Sequence, residues 1–573
     1  MRYLILTLAL LSATVGAQEE IQPEAATGRT AVKAATAEEF MAVTANPHAT
    51  RAAVQMLAQG GTAVDAAIAA QLMLTLVEPQ SSGIGGGAFM LSFQAKDNSL
   101  HYFDGRETAP AGVTAEHFIR DGQPQGFLEA VIGGHSVGVP GVMRMLELAH
   151  QKQGKLPWAT LFQPTIELAD AGFEVSPRLH HLLVKMPRVA VRPAIRDYFF
   201  DKNGQPLPVG HLLKNPDYAD TLRILAQKGS DAFYRGEIAE AIVEAVRNDP
   251  ENPGVMTMQD LADYRAKERE PVCSDFLQYR VCGADAPSSG GTTVGATLGM
   301  LEQFPLRDME VGSAPLTHLF IEASELAFAD RNTYLADPDF VQVPSHALVA
   351  PEYLVRRAKL ISSERASRAV PGVPTPATPQ RLQSASPELP NTSHLVIIDR
   401  YGNGVSMTTS IETGFGSRLL VKGFLLNNQL TDFSFVPTKA DGELVANRIQ
   451  PGKRPRSSMS PTIVLNRDGE MRLLVGSPGG SRIINYTART ILYHLALDMP
   501  ISDAVAAGNI GAIGGRVELE PEFFSADTVR NLEELGHKVV QRNLNSGIHA
   551  IALIDGQLQG GADPRREGNA AGK

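Results

Sequence analysis

Only two cysteines occur among the 573 residues, so neither a disulfide-dense scaffold nor a paired CxxC metal site can be built. HExxH is absent as well, and the sequence gives no reason to expect a metal or any other cofactor. There is no run of Lys and Arg, and the net charge is −10. That excludes the clustered basic surface a nucleic-acid binder needs. Nowhere does an apolar stretch reach the ~20 residues of a transmembrane helix, and no internal repeat is visible. What is present is an ordinary globular composition, 43% hydrophobic and 20% charged, long enough for a large core. A soluble enzyme acting on small molecules is the expectation.

The N-terminus reads as an address. Arg2 is a positive start, Tyr3–Leu11 is a short apolar run, and Val15-Gly16-Ala17 offers small residues for cleavage. A signal peptide over residues 1–17 and a periplasmic or secreted protein follow; the other reading is a buried N-terminal helix. No cysteine follows the apolar run, which argues against a lipid anchor. Cys273 and Cys282 flank Ser274–Val281, a stretch with the look of two short strands and a turn. They are either bonded across that hairpin in an oxidising compartment or two separate buried thiols. No histidine lies near them in sequence, so neither is expected to be a nucleophile.

Ala49–Val77 is helical, broken at Gly60-Gly61. The glycines of Gly83–Gly87 precede a strand, Phe89–Phe93. A dinucleotide fingerprint would instead run from strand through glycines to helix, so tight packing explains these glycines better. Val142–Ala171, Tyr218–Arg247 and Thr317–Leu335 are helical. Val370–Pro390 carries six prolines and reads as an extended linker. Strands follow at once: His394–Ile398 and Val405–Ile411 around a turn, then a hairpin of Pro461–Leu465 and Met471–Val475. Gly479-Gly480 open a helix from about Ser481 to Leu497. The chain thus divides near residue 391 into a mainly helical part and a strand-rich part.

A linker running straight into Asn391-Thr392-Ser393-His394 at the start of a strand is the chemically suggestive feature. Cutting the bond before Thr392 would free an α-amine with a reference pKa of ~7.7–8.0 next to a hydroxyl. One residue would then supply nucleophile and base, and the hydroxyl could make the cut itself by an N→O acyl shift. On spacing alone, a threonine at a strand start is also plain β-propensity. The match of Asn391-Thr392-Ser393 to a glycosylation sequon is read as chance.

From about Ala49 to Arg565 the chain resembles the γ-glutamyltransferase family. The landmarks occur in family order: Gly83–Met90, Arg106-Glu107 with Ala109-Pro110, Pro287–Gly291, Thr392-Ser393-His394, Leu426–Gln429, Asp432-Phe433-Ser434, Lys453-Arg454-Pro455, Ser457–Thr462, Gly476–Ile483 and Asp563-Pro564-Arg565. The resemblance implies an α/β fold, the four-layer αββα sandwich of the N-terminal nucleophile hydrolases. It also implies autocleavage into a large subunit, 18–391, and a small one, 392–573, which associate.

Carried over position by position, Thr392 matches the nucleophile, and Ser410 stands where the family has a second threonine that hydrogen-bonds the first. Gly479 and Gly480 match the oxyanion hole, where backbone N–H groups suit a developing negative oxygen. Arg106, Ser457 and Ser458 match donors to a substrate α-carboxylate. Gln429 and Asp432 match acceptors for its α-ammonium. Glu412 replaces the asparagine of several members; it either adds a second carboxylate to the same cation, the favoured reading, or turns toward the solvent. Phe435–Gly452, the segment expected to cover the site as a lid, is shorter than in those members and has no tyrosine gate. The implied reaction is cleavage of γ-glutamyl amides, glutathione or glutamine, through a γ-glutamyl ester passed to water, an amino acid or a dipeptide. The alternatives are a glutaryl-cephalosporin-type acylase on the same scaffold and an uncleaved, noncatalytic relative.

Overall fold

The computed structural model describes residues 27–573 apart from 31, 33, 187, 376–390 and 439–441. The signal-peptide segment and most of the proline-rich linker lie outside the described residues.

Two seven-stranded antiparallel sheets stack face to face. One runs in the order Asn569–Gly572, Met41–Thr44, Thr392–Ile398, Gly404–Ser410, Gly87–Gln94, Ser99–Gly105, Lys267–Arg269. The other runs Ala35–Ala37, Gln557–Ala562, His549–Ile554, Met471–Gly476, Thr462–Asn466, Tyr279–Gly283, Val272–Phe276. Side-chain alternation assigns the layers. Along Thr392–Ile398, Val396 and Ile398 pack between the sheets, whereas Leu395 and Ile397 pack outward with the helices Pro47–Ala58, Ala63–Val77 and Val142–Gln153. In the second sheet Ile463 and Leu474 face inward. Val464, Leu473 and Val475 face the helices Gly290–Leu301, Ala314–Tyr334 and Ile483–Ala496. Helix, sheet, sheet, helix is the αββα sandwich.

Because both faces of each sheet are covered, the central strands are buried throughout and read as nearly continuous apolar or small-residue runs. The helix Ala63–Val77 is likewise buried on every side. Its one acid, Asp65, closes a capping box with Thr62 and accepts the backbone N–H groups of Lys155 and Leu156, which is how a buried carboxylate is tolerated.

The division at residue 391 is not a division in space. Each sheet takes strands from both sides of it, so Thr392–Ile398 is held between Met41–Thr44 and Gly404–Ser410. Cys273 and Cys282 are a directly opposed pair on the hairpin of Val272–Phe276 and Tyr279–Gly283, with Cα atoms 4.1 Å apart and a disulfide joining them.

Candidate active site

Thr392 and Ser410 are register partners on neighbouring antiparallel strands. The turn Asp399–Asn403 fixes that register: the Asp399 carboxylate accepts the N–H groups of Tyr401 and Asn403. Stepping outward from the Ile398–Gly404 pair brings the two hydroxyls face to face. Close packing holds the hairpin from beyond: a Cβ on Gly86 would lie 2.1 Å from the Ser410 carbonyl oxygen, and one on Gly85 would lie 2.2 Å from that of Leu425. The glycine run therefore serves tight packing, as the strand after it suggested.

Ser410 Oγ is the hub. It donates to the carbonyl oxygen of Asn391 at 3.0 Å, accepts the Glu412 N–H at 2.8 Å, and is 3.4 Å from the donating hydroxyl of Thr392. The carbonyl that Ser410 polarises belongs to the bond before Thr392. Arg566 donates to the Thr392 carbonyl oxygen at 3.0 Å, which pins the residue from its other side.

These residues open on a narrow cleft of about 20 Å3, lined by Thr392, Ser410, Glu412, Gln429, Asp432, Ser457, Ser458 and Gly480, together with Met459 and Ile483. Gly480 begins the short turn Gly480–Arg482 that leads into the helix Ile483–Ala496. Gly479 has φ +140° and Gly480 φ +59°. A Cβ at Gly479 would also meet the Tyr486 ring at 2.7 Å, so this turn requires glycine. Gly479 precedes the lining residue and does not itself line the cleft.

One wall is a pair of hydroxyls. Ser457 Oγ accepts the Met459 N–H, and Ser458 Oγ accepts from the Arg331 guanidinium at 2.7 Å. Both oxygens accept here, and hydroxyls are groups that suit a carboxylate ligand. The Pro287–Gly291 segment supports this wall: Ser289 Oγ donates to the Ser457 carbonyl and the Ser457 N–H donates to that of Pro287.

The opposite wall is acidic. Asn428 Nδ2 donates to Glu412 at 2.7 Å, while its Oδ1 takes the Thr413 N–H. This holds Glu412 at φ +80°, a conformation costly for a non-glycine residue. Glu412 is buried at the cleft rather than turned to solvent. Arg418, lowered to about 10 by burial, feels the Glu412 carboxylate as its main opposing influence. Asp432 accepts from Arg106 Nη2 at 2.5 Å and from Gln429 Nε2 at 3.4 Å.

Arg106 sits differently from the expectation. It is fully buried behind Asp432, also donates to the carbonyls of Pro455 and Arg456, and does not line the cleft. A surface charge is excluded. Beside it Glu107 lies 3.6 Å from the guanidinium, yet burial outweighs that attraction and pushes its carboxyl up to about 8.

No described residue of 435–452 lines the cleft. Phe435 stacks on Phe118 at 4.3 Å, and Asn447 donates to the Asp432 carbonyl and accepts the Arg456 N–H.

Sequence reasoning missed Met459, Ile483, Asn428, Asn447, Arg331 and Arg566 as parts of this site. Asn428 and Met459 lay inside motifs already singled out. Arg566 directly follows the Asp563-Pro564-Arg565 landmark, whereas nothing in the local sequence around Arg331 marks it.

Comparison with known proteins agrees with the architecture. The γ-glutamyltranspeptidase family model matches residues 49–573. A glutathione hydrolase proenzyme of Bacillus subtilis (strain 168) is 36% identical over 93% of this chain and 91% of its own length. An acylase ACY 1 proenzyme of Pseudomonas sp. (strain SE83) is 33% identical over 94% of each. The crystal structure of cephalosporin acylase from Bacillus halodurans superposes with a TM-score of 0.83 at 28% identity, covering 96% of this chain and 98% of that one. With a family model spanning nearly the whole chain and a cleft assembled from that family's landmarks, this enzyme belongs to the γ-glutamyltranspeptidase family.

Proposed function

We propose that the protein cuts itself between Asn391 and Thr392 and then uses Thr392 to cleave the γ-glutamyl amide bond of glutathione and related donors. The observation that carries this reading is one cleft holding a threonine hydroxyl, a donor on the carbonyl just before it, and a recognition wall of each polarity.

In maturation the Thr392 Oγ attacks the Asn391 carbonyl carbon while Ser410 donates to its oxygen. The C–N bond breaks, the hydroxyl proton goes to the departing nitrogen, and an ester forms. Water hydrolyses it, leaving a carboxylate on Asn391 and a free α-amine on Thr392. In catalysis that amine takes the Oγ proton as the oxygen attacks the γ-carbonyl, and the turn at Gly479-Gly480, with Gly480 at the cleft, would supply the backbone N–H donors for the oxyanion. The proton passes to the leaving amine. The γ-glutamyl ester is then resolved by water or by the amine of an amino acid or dipeptide.

Ser457 and Ser458 would hold the donor's α-carboxylate; Gln429, Asp432 and Glu412 would hold its α-ammonium. Arg106 neutralises Asp432 here. A zwitterionic donor brings an ammonium for the acidic wall and a carboxylate for the two serine hydroxyls. The similarity to cephalosporin acylase favours a second reading, an acylase for substrates without an α-amine. Against it stand two buried carboxylates, Glu412 and Asp432, on one wall of the cleft: an acidic wall favours a ligand that carries an ammonium over one that does not.

The signal-like N-terminus supports export to the periplasm or beyond. No helix among the described residues is long and apolar enough to cross a membrane. The strands that 18–391 and 392–573 contribute to both sheets support two subunits that stay together after the cut.

A denaturing gel with N-terminal sequencing tests the proposal. Wild type should give two bands, the smaller beginning at Thr392. Thr392→Ala should give one uncut, inactive chain, and Thr392→Ser should still process. Full processing of the alanine variant would mean that an outside protease cuts the linker.

A further inference from the structure

We propose that His318, Glu322 and His537 bind one divalent ion of the zinc class and thereby tie the chain before Thr392 to the chain after it. His318 and Glu322 are one turn apart on the helix Ala314–Tyr334 and share a face. His537 follows the helix Ala526–Glu534. All three are buried, and one donor atom from each lies within 4.8 Å of the other two.

The surrounding hydrogen bonds set these side chains up as ligands. His318 Nε2 lies 2.6 Å from the Ser362 carbonyl oxygen. A carbonyl only accepts, so Nε2 carries the proton and Nδ1 carries the lone pair, the second-shell pattern that fixes a ligating imidazole. That Nδ1 points at His537 Nε2, 2.7 Å away. The Glu322 carboxylate is oriented by the Ser367 N–H at 3.1 Å and by the Ser367 hydroxyl.

A cavity of about 460 Å3 opens beside the trio. Glu322 and His537 line it, with Glu325, Ser367, Arg368 and Lys538, and it shares no residue with the Thr392 cleft. Two imidazoles and a carboxylate with space for a fourth ligand are a zinc donor set. Around a tetrahedral ion with bonds of 2.0–2.1 Å, donors stand about 3.4 Å apart. The two histidines would open slightly and Glu322 close, both by side-chain rotation. Arg368 and Lys538 suit water or a small anion as the fourth ligand.

Because His318 and Glu322 precede residue 391 and His537 follows it, the ion would link the two subunits. That consequence rests on the cleavage proposed above; metal binding itself does not, and the uncut Thr392→Ala protein separates the two.

The test uses whole protein stripped with EDTA and titrated with zinc chloride against a chromophoric chelator, for wild type, His318→Gln, His537→Gln, Glu322→Gln and Thr392→Ala. We expect one zinc per chain pair, binding at least tenfold weaker in the three ligand variants, and unchanged binding in Thr392→Ala. Zinc should raise the melting temperature of wild type and not of the ligand variants. In cleaved wild type, chelation should lower the urea concentration at which the two chains separate. No zinc bound, equal affinity in the ligand variants, or chain separation indifferent to zinc would overturn the proposal. The first result would mean that the two histidines simply share a proton.

Discussion

Replacing Ser410 with alanine would remove three contacts at the scissile bond at once. The Asn391 carbonyl would lose its 3.0 Å donor, the Thr392 hydroxyl its acceptor, and the Glu412 N–H its 2.8 Å partner. The first loss matters most for rate, because negative charge develops on that oxygen when Thr392 attacks. Losing one such donor costs about 2.7–4 kcal/mol, or roughly 10²–10³ in rate. Stranding the Glu412 N–H adds about 1–3 kcal/mol against folding, which falls on the turn that already holds Glu412 at φ +80°. Ser410→Thr keeps the hydroxyl and should process within about tenfold of wild type, whereas Ser410→Ala should slow by about 10²-fold or more. The assay is a chase of freshly translated precursor on denaturing gels, with circular dichroism to confirm that both variants fold. A folded alanine variant that matures at the wild-type rate would refute the idea that Ser410 polarises the bond.

Three further outcomes follow from the same geometry. Asp432→Asn should lower kcat/KM on γ-glutamyl-p-nitroanilide about ten- to hundredfold, the value of one charge-assisted hydrogen bond, and leave glutaryl-p-nitroanilide nearly untouched. An equal loss on both would mean that Asp432 acts only by holding Arg106. Glu107 has its pKa raised by burial from the ordinary 4.5 to about 8, so its contribution to stability is full below pH 4.5 and is lost as pH rises through 8. Glu107→Gln, neutral throughout, should therefore gain on wild type from pH 6 to pH 9, by on the order of a few kcal/mol; parallel melting curves would contradict this. Cys273→Ser with Cys282→Ser should cost about 2–3 kcal/mol, as expected for so short a loop, and unreduced peptide maps showing two free thiols would rule the bond out.

What could be read from the sequence were features set by short-range rules. The strands on either side of the Asp399–Asn403 turn follow from alternation and turn chemistry, and their register then pairs Thr392 with Ser410. The hairpin around Cys273 and Cys282 was legible for the same reason. The apparent helical and strand-rich halves misled about space, because both sheets are built from strands far apart in sequence. Arg106 could be placed near the site but not in its pairing: its partner Asp432 sits on a different element, and no local pattern says which carboxylate a buried guanidinium will choose. Arg331 and Arg566 act through long side chains reaching across the core. The trio His318, Glu322 and His537 escaped for a related reason, since a search for ligand spacing cannot join residues on two sides of the proposed cut.

The central claim is that Thr392, freed at its amine, carries the γ-glutamyl group. Mature enzyme mixed with a γ-glutamyl donor, quenched in acid within the first turnover and mapped by mass spectrometry tests it directly. The account predicts one γ-glutamyl group added to the chain that begins at Thr392, esterified on that threonine, and no comparable adduct from the glutaryl analogue. An adduct on another residue, no adduct from a donor that is being hydrolysed, or a stronger adduct from the glutaryl compound would contradict it.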